Sequence, residues 1–267
     1  VKEGERVLLL AHREELLTQA ADKIKTFSGN ETVLEKADSH SLGSFIPITL
    51  GSVQTLGQEK RLQQFPRDYF GTVMVDEAHH CLADQYQRIL THFESAKVLG
   101  VTATPDRGDK RNLGTYFDSL AYEYTLSQAI KDGYLVPIHA QMVPLEVDIE
   151  SVKISSGDYS AGDIGCALEP YLEKIADEMM NYCKDRKTIV FLPLIETSQK
   201  FCRMLNERGM SAVEVNGNSE DRQQILEDFE NGRYKVICNS MLLTEGYDEP
   251  SVDCVVILRP TKVRGLY

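Results

Sequence analysis

Short runs of Val, Ile and Leu recur along the chain, and between them lie longer polar stretches whose apolar residues return every three or four positions. The runs fall at residues 7–11, 48–50, 73–75 and 98–102, and again at 138–143, 188–192, 212–215, 236–239 and 254–258, each of strand length. Helical spacing covers residues 13–27, 57–63 and 85–93 in the first half and 168–184, 195–208 and 219–231 in the second. Strand followed by helix, repeated, predicts βαβ units and a mainly parallel sheet flanked by helices. An Asp-Gly pair and Pro137 interrupt the rhythm near residues 132–137, and residues 151–165 read as a polar, Gly/Ser-rich insertion. Two similar α/β domains are therefore expected, residues 1–133 and residues 134–267.

Composition narrows the class. The 267 residues are 42% hydrophobic and 26% charged, enough apolar mass for one large or two medium domains and unlike a disordered or collagenous chain. The apolar runs are far shorter than the roughly 20 residues a membrane span needs, and the chain does not open on a basic-then-apolar signal, so a soluble, cytoplasmic protein is expected. Six cysteines (Cys81, Cys166, Cys183, Cys202, Cys238, Cys254) include no C-x-x-C pair, which removes the usual spacing of a zinc or redox site. Acidic residues outnumber basic ones, 19 to 15 in residues 1–133 and 22 to 14 in residues 134–267. That balance disfavours tight polyanion binding driven by counterion release. It leaves room for a groove that follows a sugar-phosphate backbone through helix N-termini and a few Arg or Lys side chains. The chain opens on Val1 and stops at Tyr267 shortly after a strand, so a piece of a longer protein is expected.

Candidate chemistry sits at the ends of the apolar runs. The strand at residues 73–75 leads into Asp76-Glu77-Ala78-His79, placing two consecutive carboxylates where parallel sheets bind ligands. An Asp in such a place suits Mg²⁺ held through its water shell, and a neighbouring Glu suits an attacking water during phosphoryl transfer. Asp-Glu alone equally fits an acidic helix N-terminus. The strand at residues 98–102 runs into Thr102-Ala103-Thr104-Pro105, whose two hydroxyls could meet His79, although a proline-turned strand end would read the same way. His12 and Arg13 follow a strand and open a helix, as a phosphate contact would. Ser52, Gln54 and Thr55 lie at another strand-to-helix turn and suit sugar-phosphate oxygens, or plain capping. Gly246 and Asp248 permit close backbone approach and present an acid, or make a capped turn.

Taken in order, these segments resemble the motor core of a superfamily 2 helicase or translocase of the D-E-A-H type, within the branch of restriction-enzyme subunits and excision-repair proteins. The resemblance runs through Leu9-Leu-Ala-His12-Arg13-Glu14, Gly51-Ser52-Val-Gln54-Thr55, Asp76-Glu77-Ala78-His79 and Thr102-Ala103-Thr104-Pro105. It continues through Thr188-Ile-Val-Phe191, Val215-Asn-Gly217 and Leu242-Leu-Thr244-Glu245-Gly246-Tyr-Asp248. It implies two tandem RecA-like domains with mainly parallel sheets, the first incomplete at its N-terminus and the second at its C-terminus. It further implies ATP and Mg²⁺ bound between the domains, with Asp76 near the metal, Glu77 on the water and His79 relaying the nucleotide state to Thr102 and Thr104. Gly246 and Asp248 would meet the nucleotide from the second domain. His12, Arg13, Ser52, Gln54, Thr55 and Thr244 would face nucleic acid, DNA in preference to RNA.

No G-x-x-x-x-G-K-[ST] phosphate loop and no Q-x-x-G-R-x-x-R segment occurs in the 267 residues. The expectation is accordingly an ATP-driven motor as the parent protein and a 267-residue piece that hydrolyses little ATP alone. Two alternatives stand beside it: a non-catalytic helicase-like binding module, and the translocating subunit of a restriction system.

Overall fold

In the computed structural model, which describes residues 4–103, 113–144, 147, 150–155, 158–244 and 247–261, the apolar runs form two separate parallel sheets. The chain divides into two compact units, Val1–Tyr122 and Glu123–Tyr267. The first unit holds strands β1 (Val7–Ala11), β2 (Thr32–Glu35), β3 (Ile48–Ser52), β4 (Thr72–Asp76) and β5 (Lys97–Val101), in the order β2-β3-β1-β4-β5. Its helices are α1 (Glu14–Ser28), the short α2 (Val53–Leu56) and α3 (Glu59–Leu62), and α4 (Asp84–His92). The second unit carries α5 (Leu126–Lys131), a hairpin of β6 (Ile154–Ser155) and β7 (Asp158–Tyr159), α6 (Ala161–Leu168) and α7 (Leu172–Tyr182). Then follow β8 (Thr188–Phe191), α8 (Ile195–Glu207), β9 (Ala212–Val215), α9 (Arg222–Glu230), β10 (Val236–Asn239) and β11 (Cys254–Ile257), with β8 to β11 in the order β11-β8-β10-β9.

The two sheets repeat one topology. In each, the second strand lies outermost, the third returns between first and second, and the fourth crosses to the far side of the first. Such a reversal leaves a crevice at the carboxyl ends of the strands beside the first one, the usual ligand position in open α/β sheets. Burial on both faces explains the unbroken apolar runs of β1, β3, β8 and β10, whereas the outer strands β5 and β11 are exposed at alternate residues. Leu8, Leu10, Val73 and Val75 pack with Leu56, Phe70, Ile89 and Phe93 on one face of the first sheet. Ala11, Ile48 and Leu50 meet Leu17 and its α1 neighbours on the other. In the second unit Val190, Leu192 and Val236 pack against Leu172, Ile175, Phe201 and Leu205, while Ile189, Ile237 and Val215 meet Phe229. Fully burying one such Leu or Phe contributes about 1.5–3 kcal/mol, so these layers hold each sheet edge in place.

Several elements differ from the sequence expectation. Residues 138–143 form no strand: no ladder pairs them, Ile138 is 67% exposed and Met142 93%. An apolar run becomes a strand only where a neighbour supplies hydrogen bonds. The helix expected over residues 57–63 shrinks to the single turn of α3, and the separate short α2 ends just before it at Gly57-Gln58. The insertion at residues 151–165 contains the β6–β7 hairpin and the start of α6, the latter capped by the Ser160 hydroxyl on the Asp163 N–H at 3.4 Å. Among the described residues no helix is long and apolar enough to cross a membrane.

Candidate functional site

Strand order and register bring most of the candidates in the first unit to a single edge. Ala11 pairs with Ser52, Leu10 with Val75 and Asp76 with Val101. The carboxyl ends of β3, β1, β4 and β5 thus stand side by side, carrying Ser52–Thr55, His12–Arg13, Asp76–His79 and Thr102 in that order.

At the end of β4 the Asp76 Oδ1 accepts the Glu77 N–H at 2.9 Å. Glu77 itself adopts φ 49°, ψ 54°, the left-handed region that a side chain other than glycine enters at a cost of about 1–3 kcal/mol. That turn sends consecutive carboxylates in different directions. A single 3₁₀ turn follows (Ala78–His80), closed by His80 N–H to the Glu77 carbonyl at 2.9 Å, with Ala78 buried beneath it. His79 Nδ1 lies 3.0 Å from Thr102 Oγ1 and 3.3 Å from Glu77 Oε2. A proton on Nδ1 can be donated to the carboxylate or to the hydroxyl oxygen; without it, Nδ1 accepts from the hydroxyl. The imidazole therefore links the acid at the end of β4 to the hydroxyl at the end of β5.

The neighbouring candidates form a second group on the same edge. Arg13 is the N-cap residue of α1 in extended conformation. The Gln54 side-chain amide donates to the His12 carbonyl, and the Ser52 hydroxyl donates to Gln54 Oε1 at 2.8 Å. Ser52 is only 7% exposed, and its hydroxyl holds the Gln54 side chain. Gln54 is exposed, while Thr55 Oγ1 accepts the Ala37 N–H at 3.1 Å and holds the turn after β2.

In the second unit Thr244 follows β10, and its hydroxyl donates to the Met241 carbonyl at 3.1 Å. Asp248 is exposed. The loop between β10 and Thr244 is pinned by the fully buried Asn239, which donates to the Val190 carbonyl at 3.0 Å and accepts the Leu243 N–H at 3.2 Å. Just past Asp248, Lys187 ties Glu249 (3.4 Å) and Ser251 to the carbonyl that ends α9 at Glu230 (3.0 Å). Burial pushes the Glu249 carboxyl up, but the Ser251 hydrogen bonds and the Lys187 charge outweigh it and hold Glu249 below its ordinary value. Thr104 and Gly246 lie outside the described residues.

Sequence reasoning missed three supports of this site. Asn239 is one. Gly100 is another, because a Cβ there would meet Ala78 Cβ at 2.8 Å and Phe117 Cζ at 2.4 Å, so β5 approaches the Asp76–His79 turn only as glycine. The third is His80, whose ring lies between those of His79 (4.1 Å) and His12 (4.7 Å). A glycine inside a strand and an asparagine at a strand end were visible signals; the His80 contacts were not. A groove of about 890 Å³ lined by α3 and α4, including Glu59, Phe65, Asp84 and Arg88, contains none of the candidate residues. Among the described residues no group of three or more His, Cys, Asp or Glu side chains could hold a metal ion.

Comparison with known proteins bears on the same segments. The family model described as "Type III restriction enzyme, res subunit" matches residues 1–107, and "Helicase conserved C-terminal domain" matches residues 171–266. A 51.5 kDa protein of a Lactococcus phage is 30% identical over 270 residues, covering 100% of this chain and 55% of its own length. A Saccharomyces cerevisiae protein named as an ATP-dependent helicase, IRC3, is 29% identical over 280 residues, covering 97% of this chain and 39% of its own. The chain thus spans about half the length, or less, of these relatives. A solved fragment assigned as an HsdR subunit of a type I restriction enzyme from Vibrio vulnificus superposes with TM-score 0.74 at 25% identity, covering 98% of this chain and 48% of that one. With the two parallel sheets and the ordered motifs, these matches show that the chain belongs to the superfamily 2 helicase core, on the branch of the restriction-enzyme helicase subunits.

Proposed function

We propose that the protein to which this chain belongs is an ATP-driven motor that moves along DNA. The observation that carries the proposal is the shared carboxyl edge of the first sheet. There the Asp76–Glu77–His79 turn, bonded to Thr102, stands next to the His12–Arg13 and Gln54 group.

The donor chemistry fits half of an ATP·Mg²⁺ site. Asp76 presents oxygen to a hard cation at a strand end, and the left-handed Glu77 presents a separate carboxylate to water. When bound, Mg²⁺ supplies charge neutralisation on the phosphate oxygens. In this reading Asp76 holds the hydrated cation. Glu77 orients the attacking water and takes its proton, and His79 holds the Glu77 carboxylate while contacting Thr102; Thr104 is assigned to the same relay by the family resemblance alone. Asp248, with Gly246, contributes from the second unit toward the nucleotide ribose. His12, Arg13 and Gln54 grip a strand from the first unit and Thr244 from the second, all through sugar and phosphate, which suits the net charge of −12 and predicts a shallow salt dependence.

DNA is favoured over RNA by the restriction-enzyme descriptions of the matching family and of the Vibrio vulnificus structure. The same matches favour, as a second reading, the translocating subunit of a restriction system; duplex tracking without strand separation would support it. Because the 267 residues hold no phosphate-loop sequence, this chain alone should hydrolyse little or no ATP. The test is steady-state hydrolysis by the full-length natural protein and its Glu77→Gln variant. Loss of about 10²- to 10⁴-fold in kcat, the range for removing a general base, with ATP binding retained, supports the assignment. An unchanged rate refutes it.

A further inference from the structure

His80 follows the residues given chemical roles, and its position assigns it a task of its own. Its ring centroid lies 4.1 Å from that of His79 and 4.7 Å from that of His12, the latter in an edge-to-face arrangement. His12 sits at the end of β1, and its carbonyl accepts the amide of Gln54, which Ser52 holds in turn. On the other side, His79 touches Thr102 and the Glu77 carboxylate. The backbone adds a second link, because the His80 N–H closes the turn onto the Glu77 carbonyl at 2.9 Å. Glu77 already stands in a left-handed conformation that only its surroundings maintain. A shift at the end of β1 therefore reaches the Glu77 carboxylate by two routes, through the contacting rings and through the closed turn. All of these residues belong to one compact unit, and β1 lies directly between β3 and β4 in the sheet.

We propose that His80 is a positioning residue that couples nucleic-acid contact at His12 and Gln54 to the alignment of Glu77, an inference that rests on the motor reading above. The ring bridges two segments that are 68 positions apart in sequence and follow the carboxyl ends of the neighbouring strands β1 and β4. Ring pairs have a preferred geometry, so the edge-to-face contact between His80 and His12 ties the orientation of one ring to that of the other.

The experiment uses the full-length natural protein, with ATP hydrolysis measured with and without DNA and DNA affinity measured separately by fluorescence anisotropy. His80→Ala should leave the DNA Kd within about twofold of wild type and lower the DNA-stimulated rate far more than the basal one, so that the stimulation by DNA falls about fivefold or more, the lower range for coupled sites. His80→Phe, which keeps a ring, should retain at least half of the stimulation. If His80→Ala fails to fold, His80→Gln replaces it as the ringless variant. Full stimulation in the ringless variant overturns the proposal. So does a proportional loss of basal and stimulated rates, a matching loss of DNA affinity, or failure of His80→Phe to rescue. A wild-type protein that no DNA stimulates overturns the motor reading itself; a stimulated wild type with an equally stimulated ringless variant overturns only the role of His80.

Discussion

Gly100→Ala is the perturbation whose consequence follows most directly from distances. The added methyl would stand 2.8 Å from Ala78 Cβ and 2.4 Å from Phe117 Cζ. Carbon atoms pack at about 3.5–4.0 Å, so each neighbour must retreat by roughly 1 Å. Phe117 can swing, since Cζ is the far end of a side chain. Ala78 cannot move without the turn that carries it, because its Cβ is fixed to the backbone between Glu77 and His79. The retreat must therefore lengthen the 3.0 Å His79–Thr102 contact or tilt Glu77. Overpacking of this kind costs about 1–3 kcal/mol, a drop of several degrees in melting temperature for a unit of this size. A misplacement of about 1 Å in a catalytic group costs about 100-fold in rate. DNA-stimulated hydrolysis by the full-length protein should fall by that order, well beyond what the stability loss explains. Ala78→Gly removes the immovable contact, so the double variant should recover most of the rate when read as a double-mutant cycle against each single change. A Gly100→Ala protein with wild-type melting and rate refutes the reasoning, as does a double variant no better than the single.

Other outcomes follow from groups that hold the two units together internally. Glu35 is fully buried and receives the Ser41 N–H at 2.6 Å, the Ser41 hydroxyl at 2.7 Å and the Arg61 guanidinium; Arg61→Ala strands that charge and should cost about 3–5 kcal/mol by denaturant titration, with Glu35→Gln added to Arg61→Ala recovering part of it. Burial holds the Glu214 carboxyl above its ordinary value of 4.5, against the hydrogen bonds it accepts from Asn216. Folding thus favours its protonated form, and the penalty of the charged form is present above the raised value and disappears as the pH falls through it towards 4.5. Glu214→Gln should accordingly raise the melting temperature at neutral pH, and the gain should fade across that window; a constant difference at all pH values contradicts the assignment. Asn239→Ala removes two buried hydrogen bonds, about 1–3 kcal/mol, and should open residues 240–244 to limited proteolysis.

How far the chain could be read without its fold depends on the range of the interaction concerned. The β1, β3, β8 and β10 runs were legible because strands buried on both faces are written as continuous apolar segments, and β11 read as a strand from its apolar run although Val255 and Ile257 are exposed. The edge strand β2, with Thr32, Val33 and Glu35, has a mixed pattern and owes its existence to pairing with β3. Residues 138–143 carry the opposite lesson, an apolar run to which the described fold gives no partner. Within the site, the Asp76–His79 segment, Thr102 and the Ser52–Thr55 turn announced themselves as local motifs at strand ends. Their supports did not, since Gly100 against Phe117, His80 against His12 and Asn239 against Val190 are contacts between distant segments. Ser52 shows the same limit from the other direction: its place in a motif was legible, but its burial and its bond to Gln54 were not.

The central claim is that hydrolysis at the Asp76–Glu77 turn is driven by contact with DNA. Its most direct test is ATP hydrolysis by the full-length natural protein without nucleic acid and with single-stranded DNA, duplex DNA and duplex RNA, each repeated with Glu77→Gln. The account predicts a rate that DNA raises more than RNA does and that Glu77→Gln abolishes in every condition. Hydrolysis indifferent to DNA, or surviving in Glu77→Gln, would contradict it.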